Sequence, residues 1–221
     1  MDKISPTIEN YLSLMYVLEL DKEPVLGVHL AQLLNVTPPT VTNTLKRMVR
    51  DGLITMDKNG TRLTKAGKQS ARTVVRRHML TEWMMARILP WSKLHREAHN
   101  LEHAISSEVE TALFEELGHP QTCPHGNPLP GCEEAVAAWI PITETSPDDV
   151  VVIRRIHELA EYNAELLEFL ESKGLKPDAE AIVREVLPFN QTVTLEVEGQ
   201  AVTLGFASAQ QLFVERRVLT H

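Results

Sequence analysis

Only two of the 221 residues are cysteine, Cys123 and Cys132, too few for the disulfide framework of a small secreted domain. No apolar run approaches the roughly 20 residues that cross a bilayer, and polar residues interrupt the first apolar ones. Neither a membrane helix nor a secretory signal is therefore expected, and the cytoplasm is the expected location, with no membrane partner. His-Glu-x-x-His is missing as well. Catalytic zinc needs three protein ligands and an open position beside a substrate pocket, so a zinc enzyme is a poor reading. Net positive charge is also lacking: the chain carries −8, which alone argues against a nucleic acid partner.

That average hides an asymmetry. Residues 1–77 hold 12 Lys/Arg against 7 Asp/Glu, whereas residues 78–221 hold 10 against 23. A basic front and an acidic remainder fit a protein whose front alone meets phosphate. The length allows one large domain or two to three small ones.

The front reads as helix, turn, helix and hairpin. Ser5-Pro-Thr-Ile-Glu-Asn opens a helix with Tyr11, Leu14, Met15 and Leu18 at helical spacing. A short helix follows over about Val28–Leu34. Thr37-Pro-Pro39-Thr opens a third helix, where proline's missing N–H costs nothing. It is expected to bury Val41, Leu45, Met48 and Val49. Its other face carries Thr40, Thr42, Asn43, Lys46, Arg47 and Arg50. Two short strands around Lys58-Asn59-Gly60 then form a wing. A winged helix-turn-helix of this kind enters a major groove, reading base edges with the hydroxyls and amide near Thr37, Pro39 and Asn43. Lys46, Arg47, Arg50, Lys58 and Arg62 would meet phosphates.

Downstream, nitrogen, oxygen and sulfur donors crowd together. One helix is expected over Lys65–Leu89, carrying His78 and Glu82 one turn apart, and a second over about Ser92–Leu117. His95, His99, Glu102 and His103 on the second would share an arc of about 100°. Three imidazoles and a carboxylate on one stripe are costly to bury unless coordinated. The loop Thr122-Cys-Pro-His-Gly-Asn-Pro-Leu-Pro-Gly131 offers Cys123 and His125, a weaker pair. The mixed set suits Mn(II), Fe(II), Co(II), Ni(II) or Zn(II). Further on, VVVIRRI reads as a strand, Glu158–Lys173 as a helix, and TVTLEVEG and QAVTLGF as a hairpin, which together make a small α+β domain.

TIENYL, VTPPTVTNTLKRMVRDGL, LTKAGKQSA, VVRRHMLTEW, EAHNLEHAISSEVE and PHGNPLPG occur in the order found in the diphtheria toxin repressor family. Over about residues 1–131 the chain resembles that family, in particular its manganese-responsive branch. The resemblance implies a mainly α fold with small β parts. A winged helix-turn-helix would cover 1–72, a helical metal-binding and dimerisation domain 73–141, a linker 142–147, and an SH3-like, FeoA-like barrel 148–221. It implies one site of Asn10, His99, Glu102 and His103. A second would use His78, Glu82 and His95 with Cys123, His125 and a C-terminal carboxylate, Glu161 or Glu165. Many iron-type members carry Cys where this chain has His99, and Asp or Met where it has the neutral Asn10. The expected function is a homodimeric, Mn(II)-activated repressor of metal-uptake genes on a palindromic DNA operator. An Fe(II)-responsive member of the family is the alternative, with Co(II) or Zn(II) as further metals. A winged-helix sensor of an organic ligand and a zinc enzyme are the remote rivals.

Overall fold

The computed structural model of the chain describes residues 4–58 and 60–217. The chain forms two compact units, one from residues 4–78 and 99–107, the other from residues 79–98 and 108–217.

In the first unit, helix α1 (Pro6–Leu20) places proline in its first turn and buries Tyr11, Leu14, Met15 and Leu18 along one stripe. Helices α2 (Gly27–Leu33) and α3 (Pro38–Arg50) make the helix-turn-helix. Thr37 caps α3, its hydroxyl accepting from the Thr40 N–H at 3.5 Å, ahead of Pro38 and Pro39. Val41, Leu45 and Met48 are buried as expected, but Val49 is 41% exposed. One residue past Met48 is a rotation of about 100°, enough to leave the buried stripe. Strands β1 (Ile54–Asp57) and β2 (Gly60–Leu63) pair antiparallel as the wing, in register from Ile54 with Leu63 to Asp57 with Gly60. Asn59, at the expected wing turn, lies outside the described residues. Glu19 Oε1 accepts from the Leu63 N–H at 2.7 Å and fastens the end of α1 to the wing.

Helix α4 (Lys65–Met85) contributes to both units. It stops short of the expected Leu89, and residues 86–89 turn ahead of Pro90. The next expected helix is not continuous. A 3-10 turn at Trp91–Lys93 leads into α5 (Leu94–Leu101), a second 3-10 turn covers Glu102–Ala104, and α6 (Ser107–Glu116) begins afresh. Ile105 takes extended backbone, φ −71° and ψ 118°, through which no helix continues. Glu102 and His103 therefore do not share the α5 stripe that a single helix would have given them.

In the second unit the strands are β3 (Ile140–Pro141), β4 (Val150–Ile156), β5 (Glu180–Leu187), β6 (Thr192–Val197), β7 (Gln200–Gly205) and β8 (Leu212–Arg216). They form one antiparallel sheet in the order β3-β8-β4-β5-β6-β7. Its interior takes Val151, Ile153 and Ile156 from β4 and Val183, Val193, Leu195, Val202, Leu204 and Val214 from its neighbours. Leu167 and Leu170 of α7 (Ala164–Ser172) add to the same core. Glu198 and Gly199, at φ 50° and 77°, close the β6–β7 hairpin with the double positive φ of a type I′ turn. The helix expected over Glu158–Lys173 is split at Asn163. Residues 158–162 form a 3-10 turn, and Asn163 Oδ1 caps α7 by accepting from Leu166 N–H at 3.1 Å. A short α8 (Phe206–Ala209) precedes β8. Among the described residues no helix is long and apolar enough to cross a membrane.

Candidate metal centre

Each unit builds its own cluster of donors. In the first, Glu102 is 2% exposed on its 3-10 turn and is ringed by histidines. His78 Nδ1, from α4, lies 2.6 Å from Glu102 Oε2, while His99 Nδ1 and His103 Nε2 each lie 3.4 Å from Oε1. One donor atom each of His78, His99 and Glu102 falls within 4.8 Å of the others. The second ring nitrogen of His103, Nδ1, is 2.6 Å from Glu9 Oε2 in the first turn of α1. Burial pushes the Glu102 carboxyl up, but hydrogen bonds and charge from His78 and His99 outweigh it and bring its pKa from 4.5 to about 2. Glu102 is thus held as an anion. Asn10 contributes a buried amide oxygen with no hydrogen-bond partner.

The second cluster gathers Glu82 from α4, His95 from α5, Cys123 and His125 from the loop, and Glu158 and Glu161 from the 3-10 turn before α7. Glu82 and His125 are 0% exposed, Cys123 2% and Glu161 3%. His125 Nδ1 lies 3.2 Å from both Glu82 Oε1 and Glu161 Oε2. His95 Nδ1 lies 2.9 Å from Glu161 Oε2 and 3.7 Å from Glu82 Oε1. One donor atom each of Glu82, Cys123 and His125 falls within 4.8 Å of the others.

The other ring nitrogen of His125, Nε2, sits 3.3 Å from the Trp91 carbonyl. A carbonyl only accepts, so Nε2 carries the proton in this contact and Nδ1 is the ring nitrogen that faces the carboxylates. Nδ1 stands 3.2 Å from both Glu82 Oε1 and Glu161 Oε2 and makes no hydrogen bond of its own. Converging acceptor atoms in a buried pocket repel unless a proton or a metal cation lies among them. Burial first, then Glu158 and Glu82, push the Glu161 carboxyl well above its ordinary range. Burial first, with Glu82, Glu161 and Glu158, likewise pushes the Cys123 thiol up. A divalent cation would bind these groups deprotonated, so its binding would release protons.

The loop that presents Cys123 and His125 is a tight turn seated on β4. The Cys123 N–H donates to Asn127 O at 2.8 Å, Gly126 N–H to Cys123 O at 2.9 Å, and Ile156 N–H to His125 O at 2.8 Å. Gly126 has φ +87°, and a Cβ there would stand 1.9 Å from the Arg154 carbonyl oxygen, so only glycine fits. The indoles of Trp83 and Trp91 donate to the carbonyls of Thr122 and Pro124. Asn127 Nδ2 donates to Ile156 O at 2.7 Å and to Glu161 Oε1.

On the basic front, Thr37, Pro39, Thr40, Thr42, Asn43, Lys46, Arg47, Arg50, Lys58 and Arg62 are all exposed. The Thr42 hydroxyl donates back to Pro38 O at 3.0 Å, and Arg47 and Arg50 approach Asp51 at 3.7 and 3.0 Å. Exposed ion pairs of this kind are worth little and yield readily to phosphate.

Residues 3–61 match the profile "Iron dependent repressor, N-terminal DNA binding domain", residues 64–131 "Iron dependent repressor, metal binding and dimerisation domain", and residues 140–216 "FeoA domain". The chain is 32% identical to the iron-dependent repressor IdeR of Mycobacterium leprae, over 98% of this chain and 100% of that one. It is 31% identical to the diphtheria toxin repressor of Corynebacterium diphtheriae, over 92% and 94%. Among solved structures it is similar to the apo form of the manganese-activated repressor ScaR, with TM-score 0.78 and 30% identity over 94% and 100%. The chain belongs to the iron-dependent repressor family. As a member of that family it is a metal-dependent DNA-binding transcriptional repressor and not an enzyme.

The structure brings most of the expected donors together. His78 Nδ1 lies 2.6 Å from Glu102 Oε2 of its own unit, and nothing in that contact removes it from the set expected with Glu82 and His95. Glu161 faces the second cluster, whereas Glu165 is exposed on α7, separated from Glu161 by the Asn163 cap. Glu9, rather than its neighbour Asn10, reaches His103. Glu9, Glu158 and Asn127 were not anticipated. The one signal for Glu158 is a carboxylate three residues ahead of Glu161 on the same 3-10 turn.

Proposed function

We propose that this repressor is activated by Mn(II), acts in the cytoplasm as a homodimer on a palindromic operator, and controls metal-uptake genes. The observation that carries the metal reading is His125 Nδ1, a ring nitrogen facing Glu82 and Glu161 at 3.2 Å inside a buried pocket. Glu82, Cys123, His125 and Glu161 would hold one ion, with His95 and Glu158 beside them. Glu9, His78, His99, Glu102 and His103 would hold another. A bound divalent cation supplies the positive charge that draws these anions and imidazoles together.

The link to DNA runs through α1. Glu9 lies at one end of that helix, against His103, and Glu19 at the other, against the wing. An ion at Glu102 would fix α1 and with it the wing and α3, so that α3 of each protomer meets successive major-groove turns. Linkage makes this reciprocal: operator DNA tightens metal by the factor that metal tightens DNA.

The first cluster offers only nitrogen and oxygen, a set that suits Mn(II) and Fe(II) alike. The likeness to a manganese-activated repressor supports Mn(II), and the iron-dependent name of the Mycobacterium leprae relative supports Fe(II) as the second reading. Operator affinity measured at fixed salt with Mn(II), Fe(II), Co(II), Zn(II) or none is the test. Mn(II) is expected to tighten binding at least tenfold, about 1.4 kcal/mol. A larger gain with Fe(II) would move the assignment to iron, and equal affinity with and without metal would end it.

A further inference from the structure

We infer that Trp83 and Trp91 are positioning residues for the second centre. Their indole N–H groups hold the Cys123–His125 loop in register with the two helices that bring it a carboxylate and an imidazole. The inference rests on the metal reading above and names residues that act on the proposed ligands without touching an ion.

The loop uses its carbonyls in an alternating pattern. Cys123 O accepts from Gly126 N–H at 2.9 Å and His125 O from Ile156 N–H at 2.8 Å, both backbone donors. The carbonyls of Thr122 and Pro124, the residues on either side of Cys123, are met by side chains instead. Trp83 Nε1 donates to the first at 2.7 Å and Trp91 Nε1 to the second at 3.0 Å. An indole N–H only donates and a carbonyl only accepts, so neither bond can run the other way.

Each of these bonds starts beside a proposed ligand. Trp83 follows Glu82 on α4, so one turn of helix sends a carboxylate into the pocket and an N–H to the loop. Trp91 opens the 3-10 turn that leads into α5, which carries His95. It also meets His125 twice more. Its carbonyl lies 3.3 Å from Nε2, and the two rings are tilted against each other with centroids 4.6 Å apart. Donors from α4, α5 and the loop converge only while those three segments keep one register. A site of this kind is held to about 0.5 Å, and the indole bonds tie the loop to both of the other segments.

On one side the loop has little else to hold it. Trp83, Trp91 and Trp139 line a cleft of about 490 Å³ that Cys123, Pro124 and Gly126 also line, so there the loop faces open space. The indole bonds restrain backbone that packing does not. Trp139 lines the same cleft, but among the described residues its indole has no hydrogen-bond partner, which makes it the control.

The test replaces each tryptophan by phenylalanine in the full chain, keeping an aromatic ring and removing the N–H. Co(II) is the probe, because a thiolate-to-cobalt charge-transfer band reports the centre that contains Cys123 and not the first cluster. Trp83→Phe and Trp91→Phe are each expected to weaken Co(II) binding in that band about 10–100-fold. Trp139→Phe should leave it as in wild type. Metal-free protein gives a second readout. Amide exchange at Gly126 should quicken in the first two variants, while Ile153 of β4, bonded to Ala179 O, exchanges as before. The same Co(II) affinity in all three variants, lowered or not, would overturn the inference. So would a quickening of Ile153 together with Gly126, which would assign the indoles to fold stability. Either result leaves the metal reading standing. Wild-type protein that binds no Mn(II), Fe(II), Co(II) or Zn(II) would overturn both.

Discussion

Asn127 commits its whole side chain to holding the second centre. Its amide nitrogen donates to the Ile156 carbonyl and to Glu161, and its oxygen accepts from Arg155 Nε. Glu161 is thereby aimed inward with its other oxygen toward the two imidazoles. Asn127→Ala leaves every proposed ligand in the chain but lets Glu161 turn, and outer-shell partners of this kind are worth about 10–100-fold in metal affinity. Competition titration against a chelating dye should show that loss at the second centre, with the ions at Glu102 unaffected. Unchanged affinity would reduce Asn127 to loop packing. Donor density along the sequence made His99, Glu102, His103, Cys123 and His125 legible one by one. Their partners were not, because Glu9 and His103 are 94 residues apart and Asn127 and Glu161 are 34 apart. No local pattern encodes such pairings.

Secondary structure was legible where it is written locally, as in the Thr37-Pro-Pro cap of α3, the apolar stripe of α1 and the Glu198-Gly199 turn. It was misread where a helix is interrupted without glycine or proline, at Ile105 and at Asn163. β5 and β8 escaped notice because their pattern is decided by neighbours brought in from far along the chain. Among the elements of the second unit, α7 has the clearest reach toward the loop. Glu171, near its end, accepts from Trp91 N–H at 3.0 Å and from Ser92 N–H and hydroxyl at 3.3 and 2.6 Å. It so caps the 3-10 turn that leads into α5, and the Trp91 carbonyl it steadies is the one that sets the His125 tautomer. Glu171→Gln should cost about 1 kcal/mol, the usual worth of a cap. The sign with pH is fixed. Although burial pushes it up, the bonds from Ser92 and Trp91 lower the Glu171 pKa below its ordinary 4.5. The contribution is therefore present above about 4.5 and is lost as pH falls through the lower folded value. Urea unfolding of wild type and Glu171→Gln should differ at neutral pH and converge in acid; a constant gap would assign the effect to packing.

At the scale of the whole molecule the monomer leaves apolar surface uncovered. No described residue of α6 is buried, Val109 on it is 43% exposed, and Ile88 after α4 is 78% exposed. Both fall in the stretch matched by the metal-binding and dimerisation profile. A symmetric interface meets each change twice. Ile88→Glu should therefore weaken the dimer at least a hundredfold, about 2.7 kcal/mol, seen by sedimentation as a shift to monomer. Operator affinity should fall with it. A dimer that survives the change would place the interface elsewhere. The seat of the loop on β4 has its own consequence, in time rather than affinity. Gly126 lies against the Arg154 carbonyl and Ile156 is bonded to His125, so the backbone that carries two of the proposed ligands is fastened to the end of an interior strand. An ion held there would depart only as that strand end opens, its residence set by local unfolding. Such a repressor would keep a memory, reporting metal for a while after the free ion has gone.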